Sequence, residues 1–275
     1  MSTTAHSTTA NSETTADLPI QFDGMPTVSG AATARDHSST VRRLDTELKK
    51  RTNAEVRFDD GSRAAYSTDG SNYRQVPIGV VVPRTLDDVI ETVALCRDHE
   101  VPITTRGGGT SLAGQTTNVA VIIDCSKYLN AVESIDAEDR TAWVQPGCNL
   151  DRLRREASEY GLTYGPDPST HSRNTLGGMI GNNSCGTHSI MSEFYGPGAL
   201  TADQVLELEI LTYHGDRFTV GSMTAEELDA AIATGDARGQ ILDQLRTLRD
   251  DHIAALRTGF PQIQRRVSGF NLNRL

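Results

Sequence analysis

The feature that most constrains this chain is a run of three glycines in RGGGTSLAGQ, at residues 106–115, directly after a short apolar stretch. Glycines carry no Cβ atoms, so backbone N–H groups in such a run are able to converge on an anion. Thr110 and Ser111 add hydroxyl donors beside them. The loop therefore predicts a cradle for a phosphate or pyrophosphate group. The alternative is that the three glycines only make a tight turn.

Two familiar nucleotide-binding patterns do not fit this loop. A P-loop for nucleoside triphosphates has a lysine after its last glycine, and here Gln115 follows Gly114. A G-x-G-x-x-G dinucleotide motif also fails, because counting from Gly107 and Gly109 puts Leu112 at the position of the last glycine. ATP hydrolysis and a dinucleotide site of the Rossmann type are therefore disfavoured.

The residues before the loop predict a strand, a helix and a second strand. VPIGVVVP is typical of a buried strand, because a strand covered on both faces need not alternate. TLDDVIETVALCRDHE has helical spacing, with Thr85 as N-cap and Asp88 three residues on, close to a capping box. VPITT then leads straight into the glycines. This order predicts a right-handed βαβ crossover that ends in the glycine loop.

The residues after the loop predict further strands and helices. VAVIIDCS predicts a third buried strand, and AVESID with TAWVQPG predicts a pair of strands that places Trp143 in the core. NLDRLRREASEYG predicts an amphipathic helix capped by Asn149 and ended by Gly161. QVLELEILTYHGDRFTV predicts an antiparallel hairpin with His214 exposed in its turn. Residues 224–257 are predicted to be helical and charged.

A second glycine-rich segment, GPDPSTHSRNTLGGMIGNNSCGTHS, strengthens the ligand hypothesis. Its proline-stiffened turn would present Ser169 and Thr170 in a fixed direction. Its glycines would let backbone approach a flat ligand and its amides would bond to it, at Gly177, Gly178, Gly181, Asn182 and Asn183. Two such segments, neither with a charged nucleophile, indicate a long ligand with phosphates at one place and a ring at another.

Composition limits the remaining choices. Residues 1–39 are rich in Thr, Ser and Ala, which predicts a disordered tail. The formal net charge of −10 disfavours a nucleic-acid partner. No apolar run approaches the ~18 residues of a membrane span, and none forms a signal peptide, so we predict a cytoplasmic location. The 4 cysteines are too far apart to clip a metal ion, so no metal site is predicted.

Together these segments resemble the FAD-binding domain of the vanillyl-alcohol oxidase/p-cresol methylhydroxylase (PCMH-type) flavoprotein family. The likeness covers about residues 40–275 and is greatest to D-2-hydroxyacid dehydrogenases of the glycolate oxidase and D-lactate dehydrogenase type. It implies an α+β fold with two α/β lobes and the flavin between them. Residues 40–75 would form an N-terminal helix and connection, and residues 76–223 the FAD-binding domain. Residues 224–275 would form a helical tail that leads towards a substrate domain and, as in the long members of the family, an iron-sulfur part, both of which this sequence lacks.

The resemblance also implies which residues hold FAD. The pyrophosphate is expected at Arg106, Gly107, Gly108, Gly109, Thr110, Ser111, Gly114 and Gln115. The ribityl chain and isoalloxazine ring are expected at Pro166, Asp167, Ser169, Thr170, Gly177, Gly178, Gly181, Asn182 and Asn183, with the backbone of Val205 near the adenosine half. Thr110 stands where many oxidases of this family carry a flavin-linked histidine, and no cysteine lies between Gly165 and Gly178. The FAD is therefore expected to be noncovalent.

The implied reaction is hydride transfer to the flavin from a D-2-hydroxy acid of the glycolate, lactate or 2-hydroxyglutarate type. No catalytic base is assigned, because the family supplies it from the substrate domain. His171 and His188 flank the second glycine segment, but a loop histidine bonded to backbone is the commoner case, and Asp167 is expected to cap a turn. One alternative is an accessory FAD-binding subunit that works with a partner subunit. Another is an enzyme like UDP-N-acetylenolpyruvylglucosamine reductase.

Overall fold

The structure, a computed structural model, describes residues 34–263, 266 and 270–275. The predicted disordered tail at residues 1–39 lies outside the described residues as far as residue 33. Helix α1 spans Ala34–Arg51, so it begins several residues before the predicted start at residue 40. Among the described residues, no helix combines the length and the apolar character needed to cross a membrane.

The first lobe is built on a four-stranded sheet in the order β1-β2-β4-β3. Its strands are β1 (Glu55–Arg57), β2 (Gly79–Val82), β3 (Ile103–Arg106) and β4 (Val121–Asp124). Strands β2 and β3 both pair in parallel with β4, whereas β1 pairs antiparallel with β2. The predicted strand–helix–strand order is present, but β4 lies between its two strands. Strands β2 and β4 are fully buried, which confirms the prediction that these two sequences without alternation form buried strands.

Helix α3 (Leu86–Asp98) covers this sheet together with α1. The predicted capping box is confirmed, since Thr85 Oγ1 accepts from the backbone of Asp88 and the Asp88 carboxylate accepts from the backbone of Thr85. The same carboxylate accepts from the N–H of Asn53 at 2.8 Å, which ties the end of α1 to the start of α3. A buried cluster joins both helices to the sheet: Leu44, Leu48, Ile78, Val81, Leu95, Cys96, Val101 and Val121.

The stretch between α1 and β2, for which only a connection was expected, contains regular secondary structure. It contains strand β1 and a short helix α2 (Asp60–Ala65). The ring of Phe58 occupies the space that a Cβ at Gly79 would need, and Val56 packs against the core of the first lobe. The alternation of Val56 and Phe58 is the pattern that indicates a strand here, but it is too short to be distinguished from the polar residues around it.

The second lobe contains strands β5 (Val132–Asp136) and β6 (Thr141–Val144), which pair antiparallel as predicted. Helices α4 (Leu150–Ser158) and α5 (Leu176–Asn182) contribute Leu150, Leu153, Leu176 and Met179 to its core. The prediction that Trp143 is buried is wrong, because this side chain is 45% exposed. Successive side chains of a strand point to opposite faces, and in this two-stranded sheet only the Val144 side packs on the core.

A hairpin and a helical tail complete the fold, as predicted. Strands β7 (Glu207–Leu211) and β8 (Arg217–Gly221) pair antiparallel. The His214 side chain is exposed in the turn, and its carbonyl accepts a hydrogen bond from Arg97 of the first lobe. Helices α8 (Ala225–Ala233) and α9 (Ala237–Thr258) follow. Between α5 and β7 the chain forms a 3-10 turn (Thr187–Met191) and two short helices, α6 (Ser192–Tyr195) and α7 (Thr201–Gln204).

Candidate functional site

The first glycine loop, residues 107–115, starts at the carboxyl end of β3 and packs directly on the second glycine segment. A Cβ added at Gly107 would overlap the hydroxyl of Thr175, and one added at Gly108 would overlap the carbonyl oxygen of Arg173. No side chain fits either position. These two glycines therefore bring together two segments that are far apart in the sequence.

The backbone of this loop offers a row of unused donors. Within the described residues, the N–H groups of residues 107–112 donate to no protein acceptor. Of these six residues only Ser111 is buried, so the row of donors lies at the surface, where a ligand is able to reach it. Gly109 adopts a left-handed φ of +64° and Gly114 one of +77°, which only glycine adopts easily. The loop has the character of an anion-binding nest.

Residues 66–70 close the other side of the loop. The N–H of Gly70 donates to the carbonyl of Gly109 at 2.9 Å. The Arg106 guanidinium donates to the carbonyls of Tyr66 at 3.3 Å and Thr68 at 2.9 Å, and lies 5.1 Å from the centre of the Tyr66 ring. Its predicted contact with a pyrophosphate remains a prediction, since in this structure its donors support the chain beneath the loop.

A partly buried hydrogen bond anchors this support to the sheet. The Tyr66 hydroxyl donates to the Asp124 carboxylate at 2.6 Å, and Asp124 is 7% exposed at the end of β4. Burial, assisted by the hydrogen bond to Asp124, holds the pKa of Tyr66 far above its ordinary value. The phenol therefore keeps its proton and remains a donor at every physiological pH.

Asn149 holds the second segment in place. Its Oδ1 accepts from the N–H of Asp151 at 3.0 Å, which confirms the predicted cap of α4. Its Nδ2 also donates to the carbonyls of His171 at 3.2 Å and Asn174 at 2.9 Å. The local sequence indicates only the capping role, because no local pattern connects Asn149 to residues more than twenty positions later.

Helix α5 presents a face without side chains next to the first loop. A Cβ at Gly181 would meet nothing within 4 Å, and one at Gly178 would meet only the Thr175 hydroxyl at 3.2 Å. Both glycines are exposed. At the end of the helix, the Asn182 amide donates to the hydroxyl of Ser111 at 3.2 Å, so this face adjoins the first loop. A flat ligand would have unobstructed access to it.

Two other predicted ligand residues, one in α5 and one at its C-cap, are turned into the protein. Asn183 is 2% exposed, its Oδ1 accepts from the N–H of Ala202 at 2.9 Å, and its Nδ2 donates to Asn271 at 3.1 Å. A Cβ at Gly177 would lie 2.9 Å from the carbonyl oxygen of Pro146. The structure thus brings Gly178, Gly181 and Asn182 to the open face, and gives Asn183 and Gly177 packing contacts instead.

The proline turn, residues 166–170, is anchored through Asp167. The Asp167 carboxylate accepts from Arg154 at 2.7 Å and lies 3.1 Å from His188 Nδ1, while its backbone N–H donates to Ser189. Partial burial alone would raise the pKa of Asp167, but the hydrogen bond and charge of Arg154 outweigh it and hold the pKa below its ordinary value. Ionised Asp167 is therefore a structural anchor that acts through side-chain contacts, and among the described residues its carboxylate accepts from no backbone N–H, which the expected turn-capping role would require.

The remaining predicted residues lie around these two segments. Ser169 is exposed, Pro166 is buried, and Thr170 and Thr110 are half-buried. Gln115 is exposed at the loop tip, where its side chain accepts from the N–H of Ala113. Val205 is half-buried between α7 and β7. The adenosine position near Val205 stays a prediction.

The two histidines beside the second segment are paired with carboxylates. His171 Nδ1 lies 2.7 Å from Asp151, and His188 contacts Asp167 as described. In the part of the chain that the structure describes, no group of three or more His, Cys, Asp or Glu residues is arranged to hold a metal ion. Burial raises the pKa of Cys125 and of Cys148 to about 11, so neither thiol is a reactive nucleophile at neutral pH.

A profile of the family described as "FAD binding domain" matches residues 77–221, just over half of the chain. A curated relative, the D-2-hydroxyglutarate dehydrogenase of Pseudomonas putida, is 31% identical over 224 residues, covering 80% of this chain and 22% of that protein. The glycolate oxidase subunit GlcD of Bacillus subtilis is 37% identical over 177 residues, covering 62% and 36%. The chain thus spans about a fifth to a third of the length of these relatives.

Solved structures of other flavoproteins share the architecture. Alkyldihydroxyacetonephosphate synthase aligns with a TM-score of 0.58 at 24% identity, covering 68% of this chain and 39% of that one. Substrate-bound p-cresol methylhydroxylase aligns with a TM-score of 0.55 at 19% identity, covering 70% and 36%. At such identities the likeness establishes the fold, and it confirms the expected PCMH-type arrangement of two α/β lobes.

Proposed function

Because the chain belongs to the family of FAD binding domains, we propose that it is the FAD-binding part of an oxidoreductase that oxidises a D-2-hydroxy acid. FAD is the cofactor of this family. The substrate class is supported by the names of the two curated relatives, which act on 2-hydroxyglutarate and glycolate. The single observation that carries the proposal is the junction of the two glycine segments, with its row of unused N–H donors and its open face on α5.

The residues at this junction fit FAD. The pyrophosphate offers only acceptors, which matches the N–H groups of residues 107–112 and the nearby hydroxyl of Ser111. The isoalloxazine ring is flat, which matches the side-chain-free surface at Gly178 and Gly181. Bound FAD supplies the acceptor for the hydride of the substrate.

The described residues bind and orient the cofactor. They keep the loop donors in position through Arg106 and Gly70 on one side and through Thr175 on the other. Among the described residues, no side chain is assigned as the acceptor of the substrate hydroxyl proton. His171 is held against Asp151, and Asp167 is held against Arg154.

The bound FAD is expected to be noncovalent. Thr110 follows the third glycine and has no ring nitrogen to form a bond with the flavin. The measurement is a visible absorption spectrum of the purified chain before and after acid precipitation. Flavin colour that moves to the supernatant supports noncovalent FAD, whereas colour that stays in the pellet contradicts it. A colourless protein that binds no added FAD would contradict the proposed function itself.

The substrate class is tested by anaerobic reduction of the FAD-loaded protein. D-2-hydroxyglutarate, D-lactate and glycolate are added separately, with the L-enantiomers of the first two as controls. Loss of the oxidised flavin bands with one D-2-hydroxy acid supports the proposal. Reduction of the flavin by NADPH, with no response to any hydroxy acid, would instead favour an enzyme like UDP-N-acetylenolpyruvylglucosamine reductase.

A partner subunit is a second candidate, favoured by one observation. The relative from Bacillus subtilis is named as a subunit of glycolate oxidase. If the same holds here, the chain works as an FAD-binding subunit and a second polypeptide co-purifies with it from its own host. A single polypeptide that reduces its flavin with substrate would exclude that role. The cytoplasmic location stays a prediction.

A further inference from the structure

Asn174 is a buried side chain whose polar atoms have no partner. Asn174 is 4% exposed, and within the described residues neither its Nδ2 nor its Oδ1 makes a hydrogen bond. Buried side-chain amides are almost always hydrogen-bonded, because removing them from water without a partner is unfavourable. An amide left with both groups unsatisfied points to a partner that does not belong to the described chain.

The backbone of Asn174 is fixed at the junction of the two glycine segments. Its carbonyl accepts from Asn149 at 2.9 Å and its N–H donates to Thr170 at 2.9 Å. Its Cα lies 3.3 Å from the point where a Cβ on Gly108 would stand. The residue after it, Thr175, caps α5. Asn174 is thus held between the anion-binding loop and the helix with the open glycine face.

The unsatisfied state is specific to this amide. Asn149 and Asn183 are neighbouring amides, and both of their polar atoms bond to protein groups. The other described side chains with unpaired buried atoms have one such atom each. Only in Asn174 are the donor and the acceptor of one described side chain both without a partner. The Nδ2 donor and the Oδ1 acceptor of Asn174 would therefore both be satisfied by a ligand that presents an acceptor and a donor side by side.

We propose that the Asn174 carboxamide binds FAD directly, at the pyrimidine edge of the isoalloxazine ring. A phosphate has acceptors only and would leave Oδ1 unsatisfied. The pyrimidine edge carries a carbonyl next to an N–H, so it pairs with Nδ2 and Oδ1 at once. The flat ring also suits the open face of α5, which begins one residue after Thr175. This inference deepens the proposed function and does not depend on which hydroxy acid is oxidised.

The test is Asn174→Leu, which keeps the branching of the side chain at Cγ and removes both polar groups. The apoprotein variant is expected to melt at the wild-type temperature or above it, because it no longer buries an unsatisfied amide. Its Kd for FAD, from fluorescence titration of the full chain, is expected to rise roughly ten-fold or more. The absorption bands of its bound flavin are expected to shift.

The control is Asn149→Leu, whose amide bonds to protein groups and whose apoprotein is expected to melt at a lower temperature. An Asn174→Leu protein with wild-type affinity and an unchanged flavin spectrum would overturn the inference. A weaker affinity with an unchanged spectrum would overturn the assignment to the ring. Wild-type protein that binds no FAD in the same titration would instead contradict the proposed function.

A second measurement needs no folded Leu variant. In wild-type protein labelled with 15N-asparagine, hydrogen exchange of the Asn174 side-chain amide is followed by NMR with and without FAD. The signal is identified by its loss in Asn174→Ala or, if that protein does not fold, by sequential assignment in the wild type. Slower exchange with FAD supports a direct hydrogen bond, and unchanged exchange contradicts it.

Discussion

Gly108 and Gly181 belong to the two glycine segments that meet in the candidate site, but their surroundings differ. A Cβ at Gly108 would overlap the carbonyl oxygen of Arg173, whereas a Cβ at Gly181 would meet nothing within 4 Å. In the first segment, the missing side chain lets one part of the protein approach another. In the second segment, it leaves space for something other than protein. The same residue type thus serves assembly in one place and ligand access in the other.

This difference has a thermodynamic consequence. Glycines that make room for protein are needed for the folded state with or without cofactor. Glycines that make room for a ligand are unfavourable for an empty helix, since glycine is a weak helix former. Substitutions in the two segments should therefore separate the stability of the apoprotein from its affinity for FAD.

The largest loss of stability is expected at Gly108, where protein atoms fill the space beside the glycine. Gly108→Ala forces the first loop away from Arg173, because the added methyl group has no space. We expect the free energy of unfolding of the apoprotein to fall by about 3 kcal/mol, as for severe overpacking, and FAD binding to be lost. Urea unfolding followed by circular dichroism measures the first effect.

Gly161→Ala is the matched control for this change. Gly161 has a left-handed φ of +69°, but a Cβ there meets nothing within 4 Å. Gly161→Ala should therefore lower the free energy of unfolding through backbone strain alone, by about 1 kcal/mol. If Gly108→Ala unfolded at the same urea concentration as Gly161→Ala, the close contact with Arg173 would not matter for stability.

A smaller effect is expected at the residue that joins the two segments. Asn149→Ala removes the cap of α4 and the two hydrogen bonds to the carbonyls of His171 and Asn174. We expect a loss of about 2 kcal/mol of stability and a weaker affinity for FAD. Asn118→Ala, which removes one exposed hydrogen bond to Thr104, should change stability by less than about 0.5 kcal/mol. Equal melting temperatures for the two variants would contradict the joining role of Asn149.

Substitution of Gly181, where the space beside the glycine is open, should stabilise the apoprotein but weaken its affinity for FAD. Gly181→Ala improves helix propensity and meets no protein atom, so the apoprotein should gain about 0.5–1 kcal/mol. The same methyl group stands on the face proposed for the flavin, so the Kd for FAD should rise roughly ten-fold. Thermal melting without FAD and fluorescence titration with FAD check both parts. A gain in stability with unchanged affinity would place the ring elsewhere.

The smallest effect is expected from the ion pair that anchors the proline turn. Because the folded-state pKa of Asp167 is below its ordinary value, ionised Asp167 stabilises the folded state above about pH 4. This contribution is lost as the pH falls through the lowered pKa. Wild-type protein should therefore be more stable than Asp167→Asn at pH 7, by about 1 kcal/mol or less, and the difference should vanish at low pH. A difference that grew on acidification would have the wrong sign.

Local patterns predicted the parts of this fold that depend on neighbours in sequence. The capping box of Thr85 and Asp88, the cap by Asn149 and the buried strands β2 and β4 follow from residues a few positions apart. The two glycine segments were recognised for the same reason. Their meeting could be expected only from the family resemblance, since no local pattern links Gly107 to Thr175.

Contacts between distant residues account for what the sequence did not reveal. The insertion of β4 between β2 and β3 depends on strand pairing, and the exposure of Trp143 depends on which side of a two-stranded sheet is covered. The internal bonding of Asn183 involves residues that follow it by 19 and 88 positions. The unsatisfied amide of Asn174 is visible only when its surroundings are known.

The contact of Gly108 with Arg173 also fixes when the cradle is able to form during synthesis. Proteins are made from the N-terminus, at about 5–20 residues per second. A nascent chain that has just produced β3 and the first glycine loop still lacks the wall at residues 173–175. The ribosome must therefore deliver the second glycine segment before the nascent chain acquires a place for its cofactor. Flavin loading therefore follows the synthesis of residues 173–175.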